Sequence, residues 1–368
     1  MYNFKVCTSC VMNTTAKNIY FDQNGQCNYC KSFVSKIKNK KTENLDSLIK
    51  IIKENKGKSN SKYDCIVGLS GGVDSSYTLV KVVESGLKPL AVHMDNGWNS
   101  ELAQNNIENI VKALKVDLYT NVLNWNEYKN MMNSFFESDV IDIEMLMDNA
   151  MLSVNYQIAK KEKLKFILSG SNTSTEGMSM PENMNWIKFD KKNIKSIIKK
   201  FGNHKIETYP IIGILDLVTY ILINKIKWVN FLDYFSYDKN EATQYLKKNF
   251  NFKPYEYKHY ESIFTRFYQG YILPEKFKID KRILHLSTLI VTKQLSRNEA
   301  LEILKKNPYP TEIQLKDDKE YFLKKMGWNE EKLENYIKRK PRSHKDFPNN
   351  KFAYNLLLKF YKILKLNV

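Results

Sequence analysis

The chain reads as α/β: a doubly wound parallel sheet covered by helices on both faces, with a small cysteine module before it and a mostly helical region after it. Three observations predict this. Strand-length apolar runs alternate with helix-spaced apolar residues between residues 63 and 168. Polar, glycine-bearing segments directly follow three of the strand-like runs, and open α/β sheets bind ligands beyond the carboxyl ends of their strands. The alternation stops near residue 190, so the expected divisions are 1–42, 43–190 and 191–368.

In chain order, Cys7-x-x-Cys10 and Cys27-x-x-Cys30 flank positions 11–26. Two such pairs read as a closed four-thiolate zinc site in a structural ribbon or knuckle, with redox or iron–sulfur use as the other reading. Asp22-Gln23-Asn24-Gly25 supplies a turn before the second pair. Leu45, Leu48, Ile49 and Ile52 recur at helical spacing, and 56–60 forms a loop into the first strand. Strands are expected at 63–69, 90–94, 116–122 and 166–168. Helices are expected at 75–85, closed by Gly86, then around 107–114, at 127–137 and at 143–161. Cys65, inside the first strand, reads as a small core residue. Beyond 190, the apolar run 210–226 reads as a buried helix or a docking face for another subunit. Ser296-Arg297-Asn298-Glu299 is a capping box opening a helix that Pro308 and Pro310 end. The basic amphipathic stretch 352–366 is expected to pack on the domain.

The segment Ser70-Gly71-Gly72-Val73-Asp74-Ser75-Ser76 joins the first strand to the helix that follows. Its glycines permit a tight turn and a close approach of backbone to ligand. The helix start carries unpaired N–H groups and the positive end of a dipole, which suits phosphate. Asp74 fits an anion site when Mg²⁺ bridges carboxylate and phosphates. No lysine follows the glycines, so this is not the common nucleotide loop. His93-Met94-Asp95-Asn96-Gly97-Trp98 follows the second strand, and Leu168-Ser169-Gly170-Ser171-Asn172-Thr173-Ser174-Thr175-Glu176-Gly177 follows the fourth. The three segments are expected to converge on one crevice.

Hydrophobic residues make up 43% of the 368 and aromatics 13%, which places the chain among folded globular proteins. No run approaches the ~18 apolar residues of a membrane span, and Met1-Tyr2-Asn3-Phe4-Lys5 lacks the apolar core of a secretion signal. A cytoplasmic protein with reduced cysteines is expected. A net charge of +18 would suit nucleic acid or an anionic surface. The lysines are spread along the chain, though, and the densest stretches, 36–41, 191–200 and 338–342, read as solvated helix faces.

The loop at 70–76 resembles the SGGxDS loop of the PP-loop ATP pyrophosphatases, which cleave ATP between its α- and β-phosphates and adenylylate a substrate oxygen. Taken with the cysteine pairs, the segments after the second and fourth strands, Phe267-Tyr268-Gln269-Gly270-Tyr271-Ile272-Leu273-Pro274 and Ile279-Asp280-Lys281-Arg282, the chain resembles the N-acetyl sugar amidotransferases from the cysteines to about Tyr309. That family acts on bacterial surface-polysaccharide and flagellin-glycan sugars, including pseudaminic and legionaminic acid derivatives and LPS or O-antigen sugars. The resemblance implies an adenine-nucleotide α-hydrolase-like fold and the ATP-dependent conversion of an acetamido group to an acetamidino group. It implies that Ser70, Gly71, Gly72, Ser75 and Ser76 hold pyrophosphate, that Asp74 binds Mg²⁺, and that Asp95 sits near the adenosine. Gly170, Asn172 and Glu176 would line the site opposite the loop. Glu176 would contact a second Mg²⁺ or deprotonate ammonia, or serve only as a helix-start carboxylate. Lys281 and Arg282, with Asp280, would reach phosphate or an anionic sugar. Ser171 and Thr173 depart from the more apolar run expected in this segment.

No cysteine is placed as a glutaminase nucleophile, being either in the zinc-like pairs or in a strand, so ammonia is expected from glutaminase and cyclase-like partner subunits, as the resemblance implies. A sugar or sugar nucleotide is the expected substrate, and nucleic acid is not an expected partner. Two other readings stand beside this one. A tRNA-modifying PP-loop enzyme would also combine a cysteine motif with this loop, but sulfur transfer uses further cysteines and only Cys65 is left over. A non-enzymatic zinc-ribbon scaffold would not need the intact Asp74 and hydroxyls.

Overall fold

Five parallel strands form one sheet in the order β3-β2-β1-β4-β5: β1 (Cys65–Gly68), β2 (Pro89–Asp95), β3 (Asp117–Val122), β4 (Phe166–Ser169) and β5 (Lys227–Asn230). The computed structural model describes residues 4–39, 44–56, 61–203, 205–255 and 260–363. Of the expected loop at 56–60, Lys56 instead ends the helix Leu45–Lys56, and 57–60, the end of the 36–41 lysine run and the end of the 352–366 tail lie outside the described residues.

The central strands are near-continuous apolar runs, as burial on both faces requires; every residue of β4 is buried. Register is set by Ile66 opposite Leu90 on one side and Ile167 on the other. The helices Val73–Glu84, Glu101–Leu114, Trp125–Ser138 and Met145–Lys161 fall where the 3.6-residue periodicity places them, displaced by a few residues at their starts. Gly86 follows the first of these at φ +73°, a conformation that favours glycine.

Strand–helix alternation continues past residue 190, contrary to expectation. β5 adds to the sheet beside β4, pairing Trp228 with Ile167. It is four residues long, and both its ends are exposed. So short an edge strand carries too little apolar pattern to register in the sequence. The 210–226 run is also not one buried helix. A short helix Ile214–Val218 continues into a π-helical turn Thr219–Ile223. Ile212, Leu217 and Ile226 are buried, while Leu215, Leu222 and Ile223 face outward, Leu215 at 83% exposure.

The lysine-rich helix Lys191–Phe201 buries Ile194, Ile197 and Ile198 and turns Lys192, Lys195, Lys199 and Lys200 to solvent, as a solvated face should. C-terminal helices pack on Trp125–Ser138 around an aromatic core that includes Trp98, Phe136, Phe264 and Phe322. The Ser296–Glu299 capping box is present. The final helix, Lys351–Ile363, leaves Phe352 82% exposed, so this face is not packed on the domain. No described helix is long and apolar enough to cross a membrane.

Candidate functional site

Strands β2, β1 and β4 are neighbours, so their carboxyl ends bring the three expected segments side by side. The strand order reverses between β1 and β4, which is the switch point where such sheets bind ligands. A cavity of about 900 Å³ opens there.

The phosphate-type loop is braced from within. Gly71 adopts φ +83°, and a Cβ there would lie 2.6 Å from the Ala103 carbonyl. The Ser70 and Ser75 hydroxyls are 3.1 Å apart, and the Gly72 N–H donates to Ser70 Oγ at 3.3 Å. Gly72 caps the helix Val73–Glu84 with no side chain over its first N–H groups, so that end stays open to an anion. Gly170 closes against the same turn: a Cβ would meet the Asp74 carbonyl carbon and the Ser75 nitrogen at 2.8 Å.

Asp74 lines the cavity and accepts a hydrogen bond from the Tyr237 hydroxyl. Burial, Asp74 and then Glu176 push the Tyr237 phenol well above its usual range, so it stays a donor and senses both carboxylates. Glu176 lies on the cavity wall, at the end of the short helix Thr173–Glu176. The departure at Thr173 has a use: its N–H and hydroxyl reach the two oxygens of Asp233 at 2.7 and 2.9 Å.

Ser70, Gly72, Asp74, Ser75, Gly170, Glu176, Lys281 and Arg282 all line the cavity. Gly71, Ser76, Asp95 and Asn172 stand behind its wall. Ser76 is fully buried. Asn172 Oδ1 caps the short helix through the Thr175 N–H at 2.8 Å. Asp95 Oδ1 accepts from the Gly97 N–H at 2.8 Å and from Asn99 at 3.2 Å, so its carboxylate holds the turn after β2. Arg282 forks onto Asp280 and reaches the carbonyls of Ile303, Lys306 and Asn307, tying two helices together.

Several wall residues have no role assigned to them from sequence, His93 and Gln269 being quoted there only within longer segments. His93 donates from Nδ1 to the Leu69 carbonyl at 2.8 Å, which leaves Nε2 to accept from Asn99 at 3.0 Å. Burial lowers its pKa, and this pairing holds the neutral ring. Elsewhere on the lining, Glu144 accepts from Lys281 at 2.7 Å and from Gln269 at 2.9 Å. Gln269 comes from the π-helical stretch Tyr268–Phe277, whose Pro274 cannot donate to a regular helix ladder. No local signal marks Glu144, which sits one residue before a helix in an apolar stretch.

The cysteine module buttresses this wall. Its sulfurs pair at 3.6 Å (Cys10–Cys27) and 3.7 Å (Cys7–Cys30), and all four lie within 4.8 Å. Tetrahedral zinc with Zn–S of about 2.3 Å requires sulfur separations of about 3.8 Å, so the cluster fits the metal; it is far from the ~2.05 Å of a disulfide. Backbone N–H groups of Ser9 and Cys27 point at Cys7 Sγ. Arg297 reaches the Cys7 and Cys10 carbonyls, and Ser287 Oγ takes the Val11 N–H at 3.2 Å. Phe33 packs so closely on Gly177 that a Cβ would sit 2.4 Å from its ring. The module is thereby wedged between the 173–177 segment and the helix Arg282–Val291.

Residues 61–212 match the model for thiamine biosynthesis protein (ThiI), and residues 261–364 match the LPS biosynthesis protein WbpG-like C-terminal domain. No curated protein matches the chain. Among solved structures, similarity extends to an NH3-dependent NAD synthetase from Campylobacter jejuni (15% identity, 60% of this chain and 84% of that chain, TM-score 0.29). It extends also to an NMN synthetase from Francisella tularensis (15%, 63% and 99%, 0.29) and to a 4-thiouridine synthetase in an RNA complex with bound ATP (16%, 50% and 40%, 0.29). Strands β1 to β4 and the braced glycine loop thus lie in the segment that matches the ThiI model, and Gln269, Lys281 and Arg282 lie in the segment that matches the WbpG-like C-terminal domain.

Proposed function

We propose that the protein converts an N-acetyl group of a bacterial surface-glycan sugar to an acetamidino group, using ATP and ammonia. The observation that carries this reading is that two groups of residues line one cavity: the glycine loop, and the Glu144–Lys281–Gln269 cluster, two of whose members belong to the WbpG-like segment. The amide oxygen attacks the α-phosphorus, the bond to the β-phosphate breaks, and pyrophosphate leaves. Ammonia then adds to the imidate carbon, the C–O bond breaks, and AMP departs with the oxygen. The amide N–H stays on the imidate nitrogen, ammonia gives up one proton to a base as it adds, and the product is left as the protonated amidine. Positioning and charge stabilisation supply this catalysis.

In this reading Ser70, Gly71, Gly72 and Ser75 cradle pyrophosphate and Asp74 holds Mg²⁺. Glu176, which lines the same cavity and acts with Asp74 on the Tyr237 phenol, would share the metal or take a proton from ammonia. Ser76, Asp95, Asn172 and Arg282 hold these groups in place. The four cysteines bind structural zinc. Cys65 is fully buried and burial pushes its thiol up, and no cysteine lines the cavity among the described residues. That supports ammonia supply by a partner glutaminase and weighs against the sulfur transfer of the alternative, tRNA-modifying reading. The test is incubation with ATP, Mg²⁺, ammonium and a panel of N-acetyl sugars, free and nucleotide-linked. AMP release coupled to the mass change of oxygen replaced by an imino group supports the reading. Tight tRNA binding at physiological salt, with no sugar converted, would sink it.

A further inference from the structure

The cavity wall contains a buried acceptor that the protein itself does not satisfy. Asn155 lies on the helix Met145–Lys161, is 2% exposed and lines the cavity. Its Nδ2 donates to the Met151 carbonyl at 2.9 Å, which fixes the orientation of the amide. Its Oδ1 is buried with no hydrogen-bond partner among the described residues. Buried carbonyl oxygens in native proteins are normally paired, because an unpaired one loses its hydration without compensation. Gly68, the last residue of β1, keeps the space beside this oxygen free: a Cβ there would lie 3.3 Å from Oδ1. Gly68 stands in register with Val92 of β2. Val92, Met94 and Met151 line the same cavity and give it apolar surface. Ser70, where the phosphate loop begins, is two residues on from Gly68, about 7 Å of extended chain.

We propose that Asn155 Oδ1 reads the 6-amino group of the nucleotide base and so selects adenine. An apolar slot with one fixed acceptor suits a planar base that presents an N–H donor at that edge. Adenine offers its N6 amine; a 6-oxo purine offers an oxygen, which would meet the Asn155 oxygen acceptor to acceptor. The discrimination is steep because the mismatched base leaves two buried acceptors unpaired. This inference rests on nucleotide binding at the loop and not on which acceptor is modified.

The test is calorimetric titration of the full chain with ATP, ITP and purine riboside triphosphate, the last lacking only the 6-amino group. Wild-type protein is expected to bind ATP about tenfold more tightly than purine riboside triphosphate, and ITP more weakly still. Asn155→Leu, of similar size, should bind ATP and purine riboside triphosphate equally. Because the comparison of analogues on wild-type protein requires no variant, it decides the matter even where Asn155→Leu fails to fold. Equal binding of the two triphosphates by wild type, or full discrimination retained in Asn155→Leu, overturns the base-reading role alone. Failure of every triphosphate to bind overturns the phosphate-loop reading with it.

Discussion

Tyr237 donates its phenolic hydrogen to Oδ1 of Asp74, so the carboxylate at the head of the phosphate loop is oriented by a side chain 163 positions further along the chain. The segment carrying Tyr237 reaches the loop because β5 returns the chain to the sheet beside β4. Residues behind a metal-binding carboxylate set its direction, and their loss typically weakens metal affinity by about 10–100-fold. Tyr237→Phe should therefore raise the Mg²⁺ concentration needed for half-maximal AMP release by about tenfold, with saturating Mg²⁺ restoring most of the rate. Asp74→Ala should abolish AMP release at any Mg²⁺ concentration. Mn²⁺ binding in the presence of ATP, followed by EPR, checks the first expectation without turnover. An unchanged Mn²⁺ affinity in Tyr237→Phe would remove Tyr237 from the site.

Gly170 has no room for a side chain against Asp74 and Ser75. In Gly170→Ala the loop must move by a large fraction of an ångström, and misplacement of that order costs about 100-fold in rate. Steady-state AMP release should fall accordingly, with circular dichroism unchanged. Wild-type activity in this variant would mean that the β4 segment does not buttress the loop.

His93 is neutral and holds Leu69 to Asn99. Its pKa in the folded state lies below that of the unfolded chain because burial disfavours the imidazolium. The unfolded state then binds more protons in the interval below about pH 6.5. His93 contributes its stability fully above that pH and loses it as pH falls through the folded-state pKa. Thermal midpoints measured from pH 8 to pH 5 should drop more steeply for wild type than for His93→Gln. Parallel curves would contradict the assignment.

Glu144 and Lys281 form a buried ion pair whose side chains are 5% and 9% exposed. Removing one partner leaves the other charged and desolvated, a cost of about 3–5 kcal/mol in comparable pairs. Lys281→Met and Glu144→Gln should each lower urea stability by an amount of that order, and the double variant should recover much of it. Additive losses in the cycle would show that the two charges do not interact.

The cysteine module is wedged between two walls of the cavity, so its metal should matter at a distance. The protein as isolated should contain zinc, and Cys10→Ser should lose it. The thermal midpoint should then fall by at least about 5 °C, and AMP release should fall with it. A metal-free protein of undiminished stability would count against the zinc reading.

Much of this was legible in the sequence. Strands β1 to β4 and the helices between them announce themselves by apolar period, and the loop at 70–76 by glycine and hydroxyl spacing. The four cysteines come together as their spacing predicts. β5 did not announce itself, because four residues at a sheet edge carry almost no pattern. The 210–226 run misled for the opposite reason. Its apolar residues are dense, interrupted at Asp216 and Lys225, and density does not distinguish Ile226, which is buried, from Ile223, which faces solvent.

The cysteine cluster, the glycine turn at 70–76 and the parallel sheet were thus determined by the sequence alone, since each depends on residues close together in the chain or on a repeating pattern. The tertiary structure decided which side chains share the cavity. Tyr237 meets Asp74, Lys281 and Gln269 meet Glu144, and Asn155 holds a buried oxygen, unpaired among the described residues, beside Gly68. Local periodicity says nothing of such pairings, because they follow from strand order and from how distant helices pack. The same packing turns Arg282 to Asp280 and Asp95 into its own turn. A charged residue in a motif reveals its type to the sequence reader, but its partner is set by the fold.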